Sequence, residues 1–153
     1  LYEAVLRLLA LGYWSLKTIS PKLYEAGFTE NSSPSIASGI LDTLIKMGLV
    51  EKIKLWKTRG ARTYYKLKSP IMSIIYWIDE NFPLESHMTK IFVEQVKQRI
   101  LIELQFFLGE LLAKYEKLRQ AYTMLPQGKG DIDIVLPKPN KNIPVKSLRS
   151  KNR

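Results

Sequence analysis

The sequence contains no cysteine and a single histidine among its 153 residues. Disulfide bonds and thiolate metal sites are therefore excluded, and so is a metal site built from several histidines. No run reaches the ~18 consecutive apolar residues that a membrane-spanning helix needs, and no signal peptide is visible. We therefore expect a cytoplasmic protein with no membrane partner and no resident cofactor. Because the chain begins with Leu1 and not with Met, we expect it to be a piece of a longer protein.

Positive charge is the dominant feature of what is present, with a formal net charge of +10. Residues 51–70 hold seven Lys or Arg against one acidic residue, and residues 127–153 hold seven against two. Residues 1–50 are balanced, with four of each sign. Local basic fields of this kind attract polyanions, and nucleic acid is the commonest of these.

The stretch from Ser33 to Lys68 predicts a helix followed by a β-hairpin. Ser33 before Pro34 is typical of a helix N-cap followed by the first helical residue. Gly48 is typical of the left-handed residue that follows a helix. The apolar residues between them recur with a helical period and predict a buried face of Ile36, Ile40, Leu41, Leu44 and Met47. After Gly48 the period falls to two, which predicts two strands joined by a basic loop at 57–62.

A helix-turn-helix upstream of this hairpin completes the element order of a winged helix. We therefore predict an α+β protein in three parts: a winged-helix domain over residues 1–69, a mainly helical connector over residues 70–126, and a short β segment with a basic tail over residues 127–153. The connector contains a predicted long helix over Thr89–Leu125 with apolar residues at intervals of three or four. Such a helix either bends near Gly109 or packs against a second copy of itself.

The predicted recognition helix offers few side chains that read bases. Its outward positions include Ser35, Ser38 and Lys46, with Gly39 and Asp42 beside them. Serine is a weak reader, glycine reads nothing, and Asp42 would repel phosphate. We therefore expect poor base-specific readout from this helix.

The predicted wing has a different composition, because lysines and arginines alternate with aromatic residues. Strand alternation predicts that its polar residues share the face opposite Ile53, Leu55, Tyr65 and Leu67. The predicted nucleic-acid contacts in the wing are Lys52, Lys54, Trp56, Lys57, Arg59, Arg62, Tyr64, Lys66 and Lys68. Cations for phosphates and aromatics for stacking predict backbone-dominated binding, most simply to duplex DNA, with low sequence specificity.

The order of motifs resembles the C-terminal half of a family of archaeal P-loop ATPases. In that family a winged helix follows the ATPase module, and a restriction-endonuclease-like domain follows the winged helix. The stretches that carry the resemblance are Met47–Phe82, Phe106–Tyr115 and Gly130–Leu136, the last of which (GDIDIVL) is similar to a strand of the PD-(D/E)XK nuclease fold. The resemblance implies an ATPase module upstream. This chain has no G-x-x-x-x-G-K-[ST] loop, so it has no ATP phosphate site of its own.

The same resemblance implies where a nuclease site would lie. Glu110, Asp133 and Lys146 would be its catalytic residues, and Asp131 would join Glu110 and Asp133 in holding Mg²⁺. Pro144 stands where a further metal-binding carboxylate is usual, so we expect cleavage to be impaired.

Three hypotheses follow from the sequence. The leading one is a non-catalytic winged-helix module of an ATPase-type protein, which binds nucleic acid or docks a partner domain. The second is a homodimeric winged-helix transcription regulator that dimerises through Thr89–Leu125. The third is a metal-dependent nuclease of the PD-(D/E)XK type.

Overall fold

The computed structural model describes residues 1–53, 63–82, 93–118, 122–124, 133–138 and 141–144. Its elements in chain order are α1 (Tyr2–Ala10), α2 (Leu16–Glu25), α3 (Pro34–Lys46), β1 (Val50–Ile53), β2 (Tyr64–Leu67), α4 (Pro70–Asn81), α5 (Val93–Tyr115), β3 (Tyr122–Met124), β4 (Asp133–Lys138) and β5 (Lys141–Pro144). The predicted α+β class is confirmed. Strands β1 and β2 form one antiparallel sheet, and β3, β4 and β5 form another in that order.

The chain divides into two compact units. The first consists of Leu1–Ile53 and Ala61–Ile100, and the second of Lys54–Gly60 and Leu101–Arg153. Helix α5 begins in the first unit, and its residues from Leu101 onward belong to the second. No helix in the described part of the chain has both the length and the hydropathy needed to cross a membrane.

Local signals set both ends of α3 as the sequence predicts. Ser33 is the N-cap, and Pro34 occupies the first helical position. At the other end Gly48 adopts a φ of +74°, and the Leu49 N–H donates to the Leu44 carbonyl at 3.0 Å. This is the six-to-one bond of a Schellman motif, which satisfies carbonyls that the helix end leaves without partners.

The core of the first unit lies between α1, α2, α3 and the β1–β2 sheet. Its buried residues are Val5, Leu6, Leu9, Ala10, Ile19, Leu23, Ala37, Ile40, Leu41, Leu44, Val50, Tyr65 and Leu67. The predicted buried face of α3 is wrong at its two ends, because Ile36 is 38% and Met47 63% exposed. Ala37 is buried instead, because it lies one turn before Ile40 and Leu41 on the same side of the helix.

Arg7 of α1 connects this bundle to α4. Its Nη1 donates to Asp79 Oδ2 at 2.5 Å and to Glu80 Oε1 at 2.7 Å, both on α4. Its Nη2 and Nε donate to Glu3 Oε1 at 2.9 and 3.1 Å, one turn back on α1. The guanidinium carbon also lies 5.3 Å from the centroid of the Tyr76 ring, a cation–π arrangement. The bonds to Glu80, Asp79 and Glu3 raise the pKa of Arg7, so its charge is permanent.

Helix α4 buries one polar side chain and exposes several apolar ones. Ser73 is 2% exposed, and its hydroxyl accepts a hydrogen bond from Arg99 of α5, which is itself 6% exposed. Trp77 packs partly against the core, whereas Ile71 and Ile75 are 70% and 56% exposed. The buried contact therefore ties the first turns of α5 to α4 within the first unit.

The predicted helix over Thr89–Leu125 is wrong in its C-terminal extent. Residues 89–92 lie outside the described residues, and the helix is continuous through Gly109 to Tyr115. Lys117 then adopts a φ of +55°, and the Leu118 N–H donates to the Ala113 carbonyl at 2.8 Å. The helix thus ends in the same motif as α3, but with lysine where glycine is usual. Beyond it, residues 122–124 form β3, which pairs with β4.

Candidate nucleic-acid interface

The outward side of α3 carries little that could read a base sequence. Ser35, Gly39, Asp42 and Lys46 are exposed, and Ser38 is half-buried. The Ser35 hydroxyl lies 2.9 Å from the Ser33 hydroxyl in the N-terminal cap of the helix. Four of the five residues predicted to face outward are therefore exposed, and poor base readout from this row stays a prediction.

The faces of the β1–β2 sheet differ from the predicted ones. The register pairs Val50 with Leu67, Lys52 with Tyr65, and Ile53 with Tyr64. Because residues directly opposite each other share a face, Ile53 lies on the face of Tyr64 and not on that of Tyr65. The predicted grouping of Ile53 with Tyr65 and Leu67 is therefore wrong. A register that differs by one residue reverses every side chain of one strand relative to the other.

Lys66 is the predicted contact that this correction affects most. It lies opposite Glu51 across the sheet, it is only 9% exposed, and its Nζ forms an ion pair with Glu51 Oε1. A lysine held in this way is not presented to a phosphate, because it is almost buried and binding would first have to break its ion pair with Glu51. The charge of Lys66 thus acts within the sheet.

Three other predicted lysines remain accessible in the first unit. Lys46 at the end of α3, Lys52 in β1 and Lys68 after β2 are all exposed. Within the described ranges, no ion pair engages any of the three. The remaining predicted wing contacts lie outside the described residues: Lys54, Trp56, Lys57, Arg59 and Arg62.

Strand β2 of the hairpin makes backbone contacts along both of its edges. Tyr64 is half-buried and forms an isolated antiparallel bridge with Ser15, at the corner between α1 and α2. The Tyr65 N–H donates to the Trp14 carbonyl at 2.8 Å. β2 therefore has β1 on one edge and the α1–α2 corner on the other, so the hairpin is more than an isolated pair of strands.

Tyr65 places a titratable hydroxyl in the core beneath this sheet. Its side chain is 5% exposed, and burial raises the pKa of its hydroxyl above the ordinary value. The negative charge of Asp42 on α3 raises the same pKa further. The sequence predicts Tyr65 on the apolar face of the hairpin together with Leu67, and the burial of both residues agrees with that prediction.

The residues expected for a nuclease site are described only in part. Glu110 is exposed on α5, and Asp133 is the first residue of β4. Asp131 and Lys146 lie outside the described residues, and Pro144 is the last residue of β5. Across the described residues, no group of three His, Cys, Asp or Glu side chains could hold a metal ion.

A second surface, which we term the α5 row, consists of exposed apolar residues in the second unit. Its members are Leu101, Leu104, Phe107, Leu111 and Tyr115, which are 46%, 45%, 53%, 50% and 82% exposed. Their spacing of three or four residues puts them along one side of the helix. Other sides of this helix are buried at Glu103, Gly109 and Ala113. The sequence predicts an apolar stripe here and offers packing against a second copy as one way to cover it, and these five residues of the stripe are exposed.

Comparison with known proteins adds no assignment: no protein-family model, no curated protein and no solved structure matches the chain.

Proposed function

We propose that the chain is a non-catalytic winged-helix module that binds the phosphate backbone of duplex DNA with low sequence preference. The element order α1, α2, α3, β1, β2, with a strand-like bridge between Ser15 and Tyr64, supports the winged-helix assignment. In such modules α3 approaches a groove and the hairpin contacts the adjoining backbone. The resemblance to the archaeal ATPase family supports a place in the cytoplasm, downstream of an ATPase module.

The observation that carries the proposal is the contrast between the outward row of α3 and the exposed lysines at the end of α3 and in the hairpin. The exposed row of α3 holds Ser35, Gly39 and Asp42, which offer little to base edges. By contrast, Lys46 and Lys52 are exposed on α3 and β1, two elements in contact with each other. The sequence between the strands adds four more cations in residues 54–62. Phosphate contacts of this kind position a protein on DNA and carry no sequence information.

A salt titration tests the proposal directly. With Lys66 set aside, residues 51–70 carry six cations and Lys46 adds a seventh, so log Kd should change with log salt at a slope of roughly 6 for a 20-base-pair duplex. Fluorescence anisotropy from 50 to 300 mM salt measures this slope. Duplexes of unrelated sequence should bind within about threefold of one another, as expected of non-specific backbone binding.

Matched variants identify the residues that are responsible. Lys46→Gln with Lys52→Gln should reduce the slope by about 2, because two phosphate contacts are lost. Lys22→Gln with Lys97→Gln is the control, since these lysines are paired with Glu25 and Glu94. A flat salt response, or equal effects of the two double variants, would refute the proposal. Binding to a folded partner domain without any salt-dependent DNA binding would instead favour the docking role.

A homodimeric transcription regulator is the second candidate, because the α5 row offers a surface for dimerisation. It differs from the leading proposal in requiring sequence preference. Selection from a random duplex library would favour it if one sequence were enriched and bound at least 100-fold more tightly than bulk DNA. For the nuclease alternative, no described residue adds support. Incubation of plasmid and Mg²⁺ with the wild-type chain, compared with the Asp133→Ala variant, tests it.

A further inference from the structure

We propose that the α5 row binds the same row of a second copy of this chain, so that the protein is a homodimer in solution. This inference concerns the second unit and does not depend on nucleic-acid binding. It starts from the distribution of side chains around α5. Leucine, phenylalanine and tyrosine face solvent along the row, while Glu103, Gly109 and Ala113 are buried on other sides.

This distribution is the reverse of what a surface helix of a monomer shows. A helix with one side on its own core normally buries its large apolar residues and exposes its charged ones. Here α5 already rests on one side at Gly109 and Ala113, small residues that allow close approach. The large apolar residues of the α5 row are therefore free of this contact and can pack against a second surface. The helix is therefore built for contacts on two sides, and its described large apolar residues in the row lie on the side that is exposed.

The exposed area of the row is close to what one chain contributes to a dimer interface. The five fractional exposures correspond to on the order of 600 Å² of surface on one chain. This is at the upper end of what a monomer leaves as a single apolar patch, about 300–600 Å². It also approaches the ~800 Å² that each partner contributes to a standard interface. Partly exposed Leu108 and Leu112 beside the row supply part of the difference.

Charge favours a second copy as the occupant. The chain is strongly basic, so two copies repel each other at residues 51–70 and 127–153. Helix α5 does not share this excess, because its three basic residues (Lys97, Arg99, Lys114) match three acidic ones (Glu94, Glu103, Glu110). The row itself contains no charged residue over four turns. Two basic chains can therefore approach at this helix without adding to that repulsion. A two-fold interface also needs only one such patch, since it pairs with itself.

The test is the mass of the full chain by sedimentation equilibrium between 1 and 100 μM. We expect twice the 17.7 kDa of one chain in the upper part of this range. Leu104→Glu with Phe107→Glu should shift the protein to monomer, raising the dissociation constant at least 100-fold. The control, Gln98→Glu with Gln105→Glu, adds the same two charges to another side of the same helix and should leave the dimer intact.

A crosslinking experiment keeps the test decisive if the double Glu variant fails to fold. The chain has no cysteine, so Phe107→Cys carries the only thiol and should be joined to its counterpart by a short bismaleimide. Gln98→Cys, away from the row, should not be joined. A wild-type monomer at 100 μM, a dimer that survives the two Glu substitutions in a folded variant, or equal crosslinking of the two cysteine variants would each overturn the inference. A monomeric variant that retains the salt slope of DNA binding would separate this result from the proposed function.

Discussion

Replacing Arg7 with methionine should loosen α4 from α1, and the geometry allows the loss to be estimated. The guanidinium contacts Asp79 and Glu80 at 2.5 and 2.7 Å and Glu3 at 2.9 Å. The side chains of Arg7, Asp79 and Glu80 are each about one-third exposed, at 31%, 36% and 32%. Solvent therefore screens the pairs, so each is worth about 0.2–1 kcal/mol and not a full Coulomb energy.

The Tyr76 ring adds to these pairs. A partly exposed cation–π contact contributes about 0.5–1 kcal/mol. Removing the cation also leaves three carboxylates near one another without a counter-charge. Taken together, we expect the Arg7→Met variant to lose about 2 kcal/mol of unfolding free energy, since methionine keeps most of the apolar stem.

Urea denaturation followed by tryptophan fluorescence measures this loss. Lys22→Met is the matched control, because Lys22 is paired only with Glu25 on the surface of one helix. The Arg7 effect should shrink in 1 M salt, and a double-mutant cycle with Asp79→Asn should show coupling between the two residues. A loss below about 0.5 kcal/mol, or additive single effects, would show that Arg7 does not hold α4 in place.

Two further predictions concern single residues. Lys117→Gly should stabilise the chain by about 0.5–1 kcal/mol, because glycine adopts the φ of +55° without steric cost. The control, Lys114→Gly within α5, should destabilise the chain by about 1 kcal/mol. Thermal unfolding followed by circular dichroism compares the two variants. Tyr65→Phe should reduce the loss of unfolding free energy at alkaline pH. Above pH ~10 the unfolded wild-type chain releases the Tyr65 proton, whereas the folded chain retains it because the pKa of Tyr65 is raised there. The stability of the wild type therefore falls as pH rises, and the variant lacks this contribution. Equal slopes of urea midpoint against pH in the two proteins would contradict the second prediction.

The features that the sequence predicts correctly are those written within a few neighbouring residues. Ser33 and Pro34 begin α3, and Gly48 follows its end, because caps depend on local backbone chemistry alone. The end of α5 is not predicted from neighbouring residues. Lys117 adopts the left-handed conformation in which glycine is usual, so no glycine marks the end of the helix in the sequence. The apolar period continues past that end and gives no sign of it.

Other features that the sequence predicts wrongly, or does not predict, depend on distant parts of the chain. The faces of the hairpin follow from the register of β1 against β2, and alternation within each strand is compatible with two registers. The pairing of Lys66 with Glu51 follows from that register, so a predicted phosphate contact is engaged inside the protein. The contacts of Arg7 with Asp79 and Glu80 span more than 70 residues and have no local signature.

The bond from the Tyr65 N–H to the Trp14 carbonyl has a consequence for the order of folding. It joins residues about fifty positions apart. Closing so long a segment lowers the conformational entropy of the chain, and contacts between neighbouring residues do not offset that loss. A two-stranded ribbon is marginal by itself, so β1 and β2 should become protected from hydrogen exchange only after the first two helices have met. Shortening the chain at its N-terminus would then also unmake the hairpin.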